Sequence, residues 1–166
     1  MIQAPPAAGS DFDPARLRKA FGQFATGVTV VTATTEFGPV GITANSFTSV
    51  SLDPPLVLWS PARSSARFAA FAAAQSFSIH VLASDQADLS ARFTRGGAGF
   101  DGLNYGRSAE GSPLLPGALA RFDCTLHSTH DGGDHLIILG RVLRLETLPG
   151  RPLVFAQGAY VNLAEG

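Results

Sequence analysis

Thr43, Asn45, Ser46, Thr48, Ser49 and Ser51 crowd short polar side chains into one stretch, GITANSFTSVSLDPP (residues 41–55), of an otherwise apolar chain. Such groups offer donors and acceptors with little side-chain entropy to lose, and neighbouring glycine lets backbone amides approach a flat polar ligand. A planar heterocycle suits such a strand edge. A solvent-facing strand would carry the same composition, so these residues alone leave both readings open. His127, His130 and His135, with Asp131 and Asp134 between them, could on paper gather zinc or iron. No H-E-x-x-H and no paired cysteine accompanies them, and such residues in a hairpin turn are ordinary turn formers, so no metal is expected. Cys124 shares an alternating face with Phe122 and Leu126 and reads as a small inert apolar residue. His80 reads as an ordinary strand residue. No GxGxxG directly follows a strand pattern and no GxxxxGK[ST] occurs, which excludes the Rossmann and P-loop designs.

The elements that must position these groups are short. Phe12 opens the structured part after a Pro- and Ala-rich leader spanning residues 1–11, and residues 12–166 read as one domain. Asp13 is placed to cap a helix, Pro14 suits its first position, and Phe12 can staple onto Leu17. Leu17, Ala20, Phe21 and Phe24 continue the helical spacing until Gly27. Val28 to Thr35 and the VGITA run then predict a hairpin turning at Gly38 and Pro39. Leu56 to Ser60 and Phe77 to Leu82 read as strands, with a short helix between them in SSARFAAFAAA. A second short helix is expected over Asp85 to Phe93. The stretches ALARFDCTLHSTH and HLIILGRVLRLE, joined by DGGD, predict a long antiparallel hairpin. About six strands, few helices and 18 Gly with 11 Pro predict a mainly β, closed or partly closed antiparallel barrel decorated by helices.

Twelve Lys and Arg against 13 Asp and Glu, a net charge of -1 and no basic run give no footprint for nucleic acid or an anionic membrane. No stretch approaches 18 uninterrupted apolar residues, and the N-terminus lacks the regions of a signal peptide. With a single cysteine, the expected compartment is the cytoplasm. A hydrophobic fraction of 45% against 15% charged residues is dry for a small monomer and predicts a homodimer.

The order of the motifs adds more. FATGVTVVTA, GITANSFTSVSLDPPLVLWSPARSS, LSARF, GALARFDC, GGDHLIILGRV and GAYVNL together resemble the short-chain flavin reductases, the reductase components of two-component flavin-dependent monooxygenases. The resemblance runs from about Leu17 to Leu163. It implies a dimeric, six-stranded Greek-key split β-barrel that binds FMN or FAD and reduces it with NADH or NADPH. By the same resemblance, Thr43, Ala44, Asn45 and Ser46 meet the polar edge of the isoalloxazine, largely through backbone groups. Ser49 and Ser51 continue along the ribityl chain. Ser60, Ser64 and Ser65, with Arg63 nearby, form the phosphate loop, where Ser64 and Ser65 could equally cap a helix from Ala66. Arg92 and Phe93 fall on the phosphate and adenosine side. His135, in GDH, falls near the nicotinamide, together with Gly158 and Tyr160. The implied activity supplies reduced flavin to a partner monooxygenase. Two other outcomes stay open at this point: a retained flavin that reduces ferric iron, cobalamin or a nitro compound, and a flavin-binding protein without turnover.

Overall fold

The computed structural model describes residues 12–94, 96 and 99–163; the leader at 1–11 and part of the glycine-rich loop fall outside them. Helix α1 spans Pro14–Phe21, with an Asp13 carboxylate oxygen accepting the Ala15 N–H at 3.1 Å. It ends at Gly22 rather than Gly27. The reason is tertiary: the Gly22 carbonyl accepts the Gln157 N–H at 2.7 Å, and the Gln157 amide donates to Gln23 at 3.1 Å. The released chain forms a two-residue strand, β1 (Thr26–Gly27). No residue of α1 is buried, and Leu17, Phe21 and Phe24 all remain exposed.

The β-branched run becomes β2 (Thr29–Thr35), paired antiparallel with β3 (Gly38–Ala44). The turn is Glu36–Phe37, two residues earlier than the sequence suggested, and Gly38 and Pro39 open β3 instead. Thr35 fixes that turn by accepting the Phe37 N–H at 3.1 Å and donating to the Gly38 carbonyl at 3.0 Å. Next come β4 (Thr48–Leu52), β5 (Pro55–Trp59), α2 (Phe68–Ala73) and β6 (Ser76–Val81). They are followed by α3 (Ala87–Thr94), the short pair β7 (Gly106–Arg107) and β8 (Pro113–Leu114), and the long hairpin β9 (Ala120–Gly132) and β10 (His135–Thr147). A terminal hairpin, β11 (Val154–Ala156) and β12 (Ala159–Val161), adds to β1 as a separate three-stranded sheet.

The main sheet has seven strands in the order β3-β2-β6-β9-β10-β5-β4, every ladder antiparallel. The expected six-stranded, closed or partly closed barrel is therefore corrected in its strand count: β4, too polar to read as a strand, is the seventh, and no ladder joins β3 to β4 among the described residues. Those two outermost strands are nonetheless linked by only residues 45–47, a chain that can reach about 14 Å. Laid flat, six inter-strand gaps would separate them by about 29 Å. The sheet must curl, bringing its two free edges toward one another at the Ala44 end.

The curl encloses Val31, Ala33, Val57, Trp59, Phe77, Ile79, Cys124 and Ile138, with Phe71 of α2 set edge-on to Trp59 at 5.1 Å. On the other face Val28, Val30, Leu82, Phe93, Leu115 and Leu153 form a second core beneath α3. Strand β2 is buried on both faces, which explains why its apolar pattern runs almost unbroken. Among the described residues no helix is long and apolar enough to cross a membrane.

Candidate active site

Strand β3 has a neighbour on one side only, so its other edge presents unpaired peptide groups. The Gly41 carbonyl leaves on that free edge, where it accepts an Arg67 guanidinium hydrogen at 2.9 Å. By the two-residue repeat of an antiparallel strand, the N–H and C=O of Thr43 leave on the same edge. This places a polar backbone rim at Thr43, beside Asn45 in the bend that follows the strand, in one of the segments that the resemblance implicates.

A small pocket of about 170 Å³ opens there, lined by Val28, Thr43, Ala44, Asn45, Thr94, Phe155 and Tyr160. Two segments more than a hundred residues apart meet in it, and the connection is a buried hydroxyl. Ser90 of α3 is 0% exposed. Its carbonyl accepts from the Thr43 hydroxyl at 2.6 Å and from the Thr94 hydroxyl at 2.9 Å, and its own hydroxyl lies 2.7 Å from the Tyr160 phenol. Thr43 therefore spends its hydroxyl inward and offers the pocket its backbone. Tyr160 is 43% exposed, its ring edge-on to Phe155 at 5.7 Å. Gly158, at φ +84, makes the turn between β11 and β12 and is exposed.

Ser46 ties the corner after β3 to the end of β5. Its hydroxyl accepts the Ser60 N–H at 2.9 Å and donates to the Ser60 carbonyl at 3.2 Å. From Ser60 the SPARSS loop runs against the β9–β10 turn: Leu136 donates its N–H to the Pro61 carbonyl at 3.1 Å, and Ala62 bridges to His135. Arg63 holds the turn with an ion pair to Asp131 at 2.7 Å, a hydrogen bond to the Gly133 carbonyl at 2.9 Å and its N–H on the Asp134 carbonyl at 2.8 Å. The GDH motif and the SPARSS loop, 70 residues apart, thus become one surface. The His135 Nδ1 lies 2.8 Å from the Asp134 carboxylate, and that bond holds Asp134 below the usual carboxylate range. A carboxylate accepts, so Nδ1 carries the hydrogen of this bond, and Nε2 is the ring nitrogen that the bond does not engage.

The remaining predicted residues are placed less simply. Ser49 and Ser51 lie on the free-edged strand β4, either side of a bulge at Val50. Ser64 is exposed, and neither Ser64 nor Ser65 caps α2: the helix starts at Phe68, and the Ser65 hydroxyl instead accepts the Arg67 N–H at 3.2 Å within the preceding turn. Arg92 is exposed and donates to the Asp101 carbonyl at 2.8 Å. Phe93 is 1% exposed; its ring sits in the second core, so the side chain serves packing and turns no face outward. Cys124 is a core thiol whose pKa burial pushes up to about 12, an unreactive state. Among the described residues no group of three or more His, Cys, Asp or Glu is placed to hold a metal ion.

Arg67, Ser90 and Thr94 escaped the sequence reading. Arg67 donates to the carbonyls of Gly41, Phe93 and Thr94, locking the end of α3 against β3 beside the pocket. A basic group on the last carbonyls of a helix is the expected complement to its dipole, but these partners are 26 and 27 residues away. A wider groove of about 670 Å³ lies between the Glu36–Phe37 turn and the alanine face of α2, and of these groups only Arg67 borders it. That groove is lined by Thr34, Thr35, Glu36 and the α2 alanines, and neither Thr43 nor Asn45 reaches it.

A flavin needs donors along one ring edge, apolar contact beneath the ring and an open face, and the Thr43 edge with Val28, Ala44 and Phe155 meets those needs. Comparisons with known proteins agree. Residues 21–164 match the flavin reductase like domain family. The FMN reductase (NADH) SmoA of Agrobacterium fabrum is 60% identical over 143 residues, covering 86% of this chain and 82% of that protein. The flavin-dependent monooxygenase reductase subunit HsaB of Rhodococcus jostii is 44% identical, covering 94% and 81%. The NADH:FAD oxidoreductase SgcE6 of Streptomyces globisporus, solved with NAD and FAD fragments, superposes with a TM-score of 0.86 at 39% identity, covering 92% of this chain and 93% of that one. Matched by the family model over residues 21–164 and by relatives over most of their own length, this chain belongs to the flavin reductase family.

Proposed function

We propose that the protein is an NAD(P)H:flavin oxidoreductase that reduces FMN or FAD by hydride transfer and supplies the reduced flavin to a separate flavin-dependent monooxygenase. The observation that carries this reading is the free β3 edge at Thr43 opening into the pocket walled by Ala44, Asn45 and Tyr160. That pocket is too small to enclose a tricyclic ring, so a ring seated on this edge keeps a face open to a second one.

When bound, the flavin supplies the acceptor for the hydride of the reduced nicotinamide. Everything else falls to the chain. The Thr43 and Asn45 backbone offers preorganised donors where negative charge gathers on reduction. Ala44, Val28 and Phe155 exclude water from beneath the ring. Ser46 and Ser60 hold the corner that leads to the phosphate loop, in which Ser64 and Ser65, with Arg63 nearby, are the candidates for phosphate contacts; Ser49 and Ser51 lie along the ribityl side, and Arg92 on the adenosine side. His135, oriented by Asp134, presents Nε2 to accept a hydrogen from the nicotinamide carboxamide, and Gly158 and Tyr160 border the same donor. No proton need be abstracted, and holding two rings in register can account for about 7 to 11 kcal/mol of a barrier.

In this reading the curled sheet is a split barrel, parted between β3 and β4, and two copies pair. Leu143, Leu145 and Leu148 at the exposed end of the long hairpin, with Phe21 of α1 and Phe24 just beyond it, are the apolar surface that a second copy would cover. Light scattering of the purified protein at the mass of one chain would refute the pairing.

The deciding assay follows absorbance of the reduced nicotinamide with and without free flavin. Oxidation that depends on added FMN or FAD is expected. A protein that purifies yellow and works without added flavin would favour a retained cofactor, and flavin binding without oxidation would favour a carrier.

A further inference from the structure

We propose that Ser90 is a positioning residue for hydride transfer, setting the Tyr160 ring and the Thr43 edge from inside the protein; this rests on the function proposed above. Ser90 is fully buried and touches no ligand itself. Yet three of the four polar residues that line the pocket, Thr43, Thr94 and Tyr160, bond to it. These walls come from β3, α3 and β12, and no ladder joins β3 to β12, which belong to different sheets. Ser90 therefore links β12 directly to α3 and β3, beside the Arg67 bonds that hold α3 against β3.

The Tyr160 bond is the exposed end of this arrangement. Strand β12 has three residues and, among the described residues, pairs with β11 alone, so the backbone by itself constrains the ring weakly. A phenol anchored at 2.7 Å to an immobile buried hydroxyl selects one ring orientation. That orientation decides how far the pocket wall stands from a ring stacked on the open face, and hydride transfer is steep in that distance.

The two ends of the bond can be cut separately. Ser90→Ala removes the hydroxyl but keeps the carbonyl that holds Thr43 and Thr94, so it should release Tyr160 alone. Tyr160→Phe cuts the same bond from the outside. Each single variant is expected to lower kcat/KM for the reduced nicotinamide nucleotide about fivefold, the scale of one hydrogen bond. The double variant should be no worse than the weaker single one, and flavin affinity, read by fluorescence quenching, should stay within about twofold of wild type. Losses that multiply in the double variant, a single variant with wild-type kinetics, or flavin affinity falling in step with turnover would each overturn the assignment. Should Ser90→Ala fail to fold, Tyr160→Phe, at a half-exposed site, decides alone: unchanged kcat/KM refutes. Wild-type protein with no flavin-dependent oxidation would overturn the proposed function instead, whereas active wild type with indifferent variants overturns only the role of Ser90.

Discussion

Acid should destabilise this fold well above the range in which carboxylates titrate, through His80. This residue of β6 is 0% exposed. Its Nδ1 lies 3.1 Å from the Val30 carbonyl, to which it must donate, and its Nε2 accepts the Leu115 N–H at 3.1 Å. The neutral ring thus joins β2, β6 and the chain entering β9, with both nitrogens used. A second proton on Nε2 would face the Leu115 N–H, donor against donor. Burial, opposed by the Val30 bond and helped by the nearby Arg121 charge, lowers the His80 pKa from 6.5 to about 4; Asp123 pulls weakly the other way. Because the unfolded chain takes up this proton near pH 6.5 and the folded chain only near pH 4, the unfolded state binds more protons in between. Stability therefore falls as pH falls through that window. Going from pH 7.5 to pH 5 removes about 2 kcal/mol, and the full loss at lower pH is about 3 kcal/mol, against a typical total of 5 to 15. Urea unfolding at a fixed protein concentration, stepped through this range, should show the midpoint falling without a change in slope. His80→Gln can donate to Val30 and accept from Leu115 without titrating, so its midpoint should be nearly flat from pH 7.5 to pH 5. Wild type and variant with the same pH profile would refute the reasoning.

Other outcomes follow from single contacts. A Cβ at Gly41 would lie 2.5 Å from the Phe93 ring, so Gly41→Ala should cost about 1 to 3 kcal/mol by overpacking; an unchanged melting temperature would mean that the ring moves freely. Asn45→Pro removes the backbone N–H at this position and should weaken flavin affinity measured by fluorescence quenching more than Asn45→Ala, which keeps it; undiminished affinity in Asn45→Pro would count heavily against the edge contacts. His135→Ala should raise the nicotinamide KM more than the flavin KM, and unchanged kinetics would remove it from the site. Cys124 should resist thiol reagents in the native protein and react on denaturation, since burial holds its pKa up at about 12; fast native labelling would contradict its core position.

Local physics was legible in the chain. Asp13 and Pro14 start a helix because a cap acts on amides two residues away, and the alternation in residues 120–147 dictates a hairpin because side chains change face at every step. The motif order carried the family and the list of site segments. What the chain alone left undecided depends on partners distant in sequence. Gly22 rather than Gly27 ends α1 because Gln157 claims its carbonyl. Polar β4 becomes a strand because β5 supplies its ladder, and the hydroxyls of residues 41–55 divide between structure and surface according to what lies across from them. Thr43 turns to Ser90 and Ser46 to Ser60, leaving backbone rather than side chains to face a ligand. Composition gathered the polar groups; the curl of the sheet decided which of them remained available, because a hydrogen bond spanning 47 residues exists only once the chain has folded.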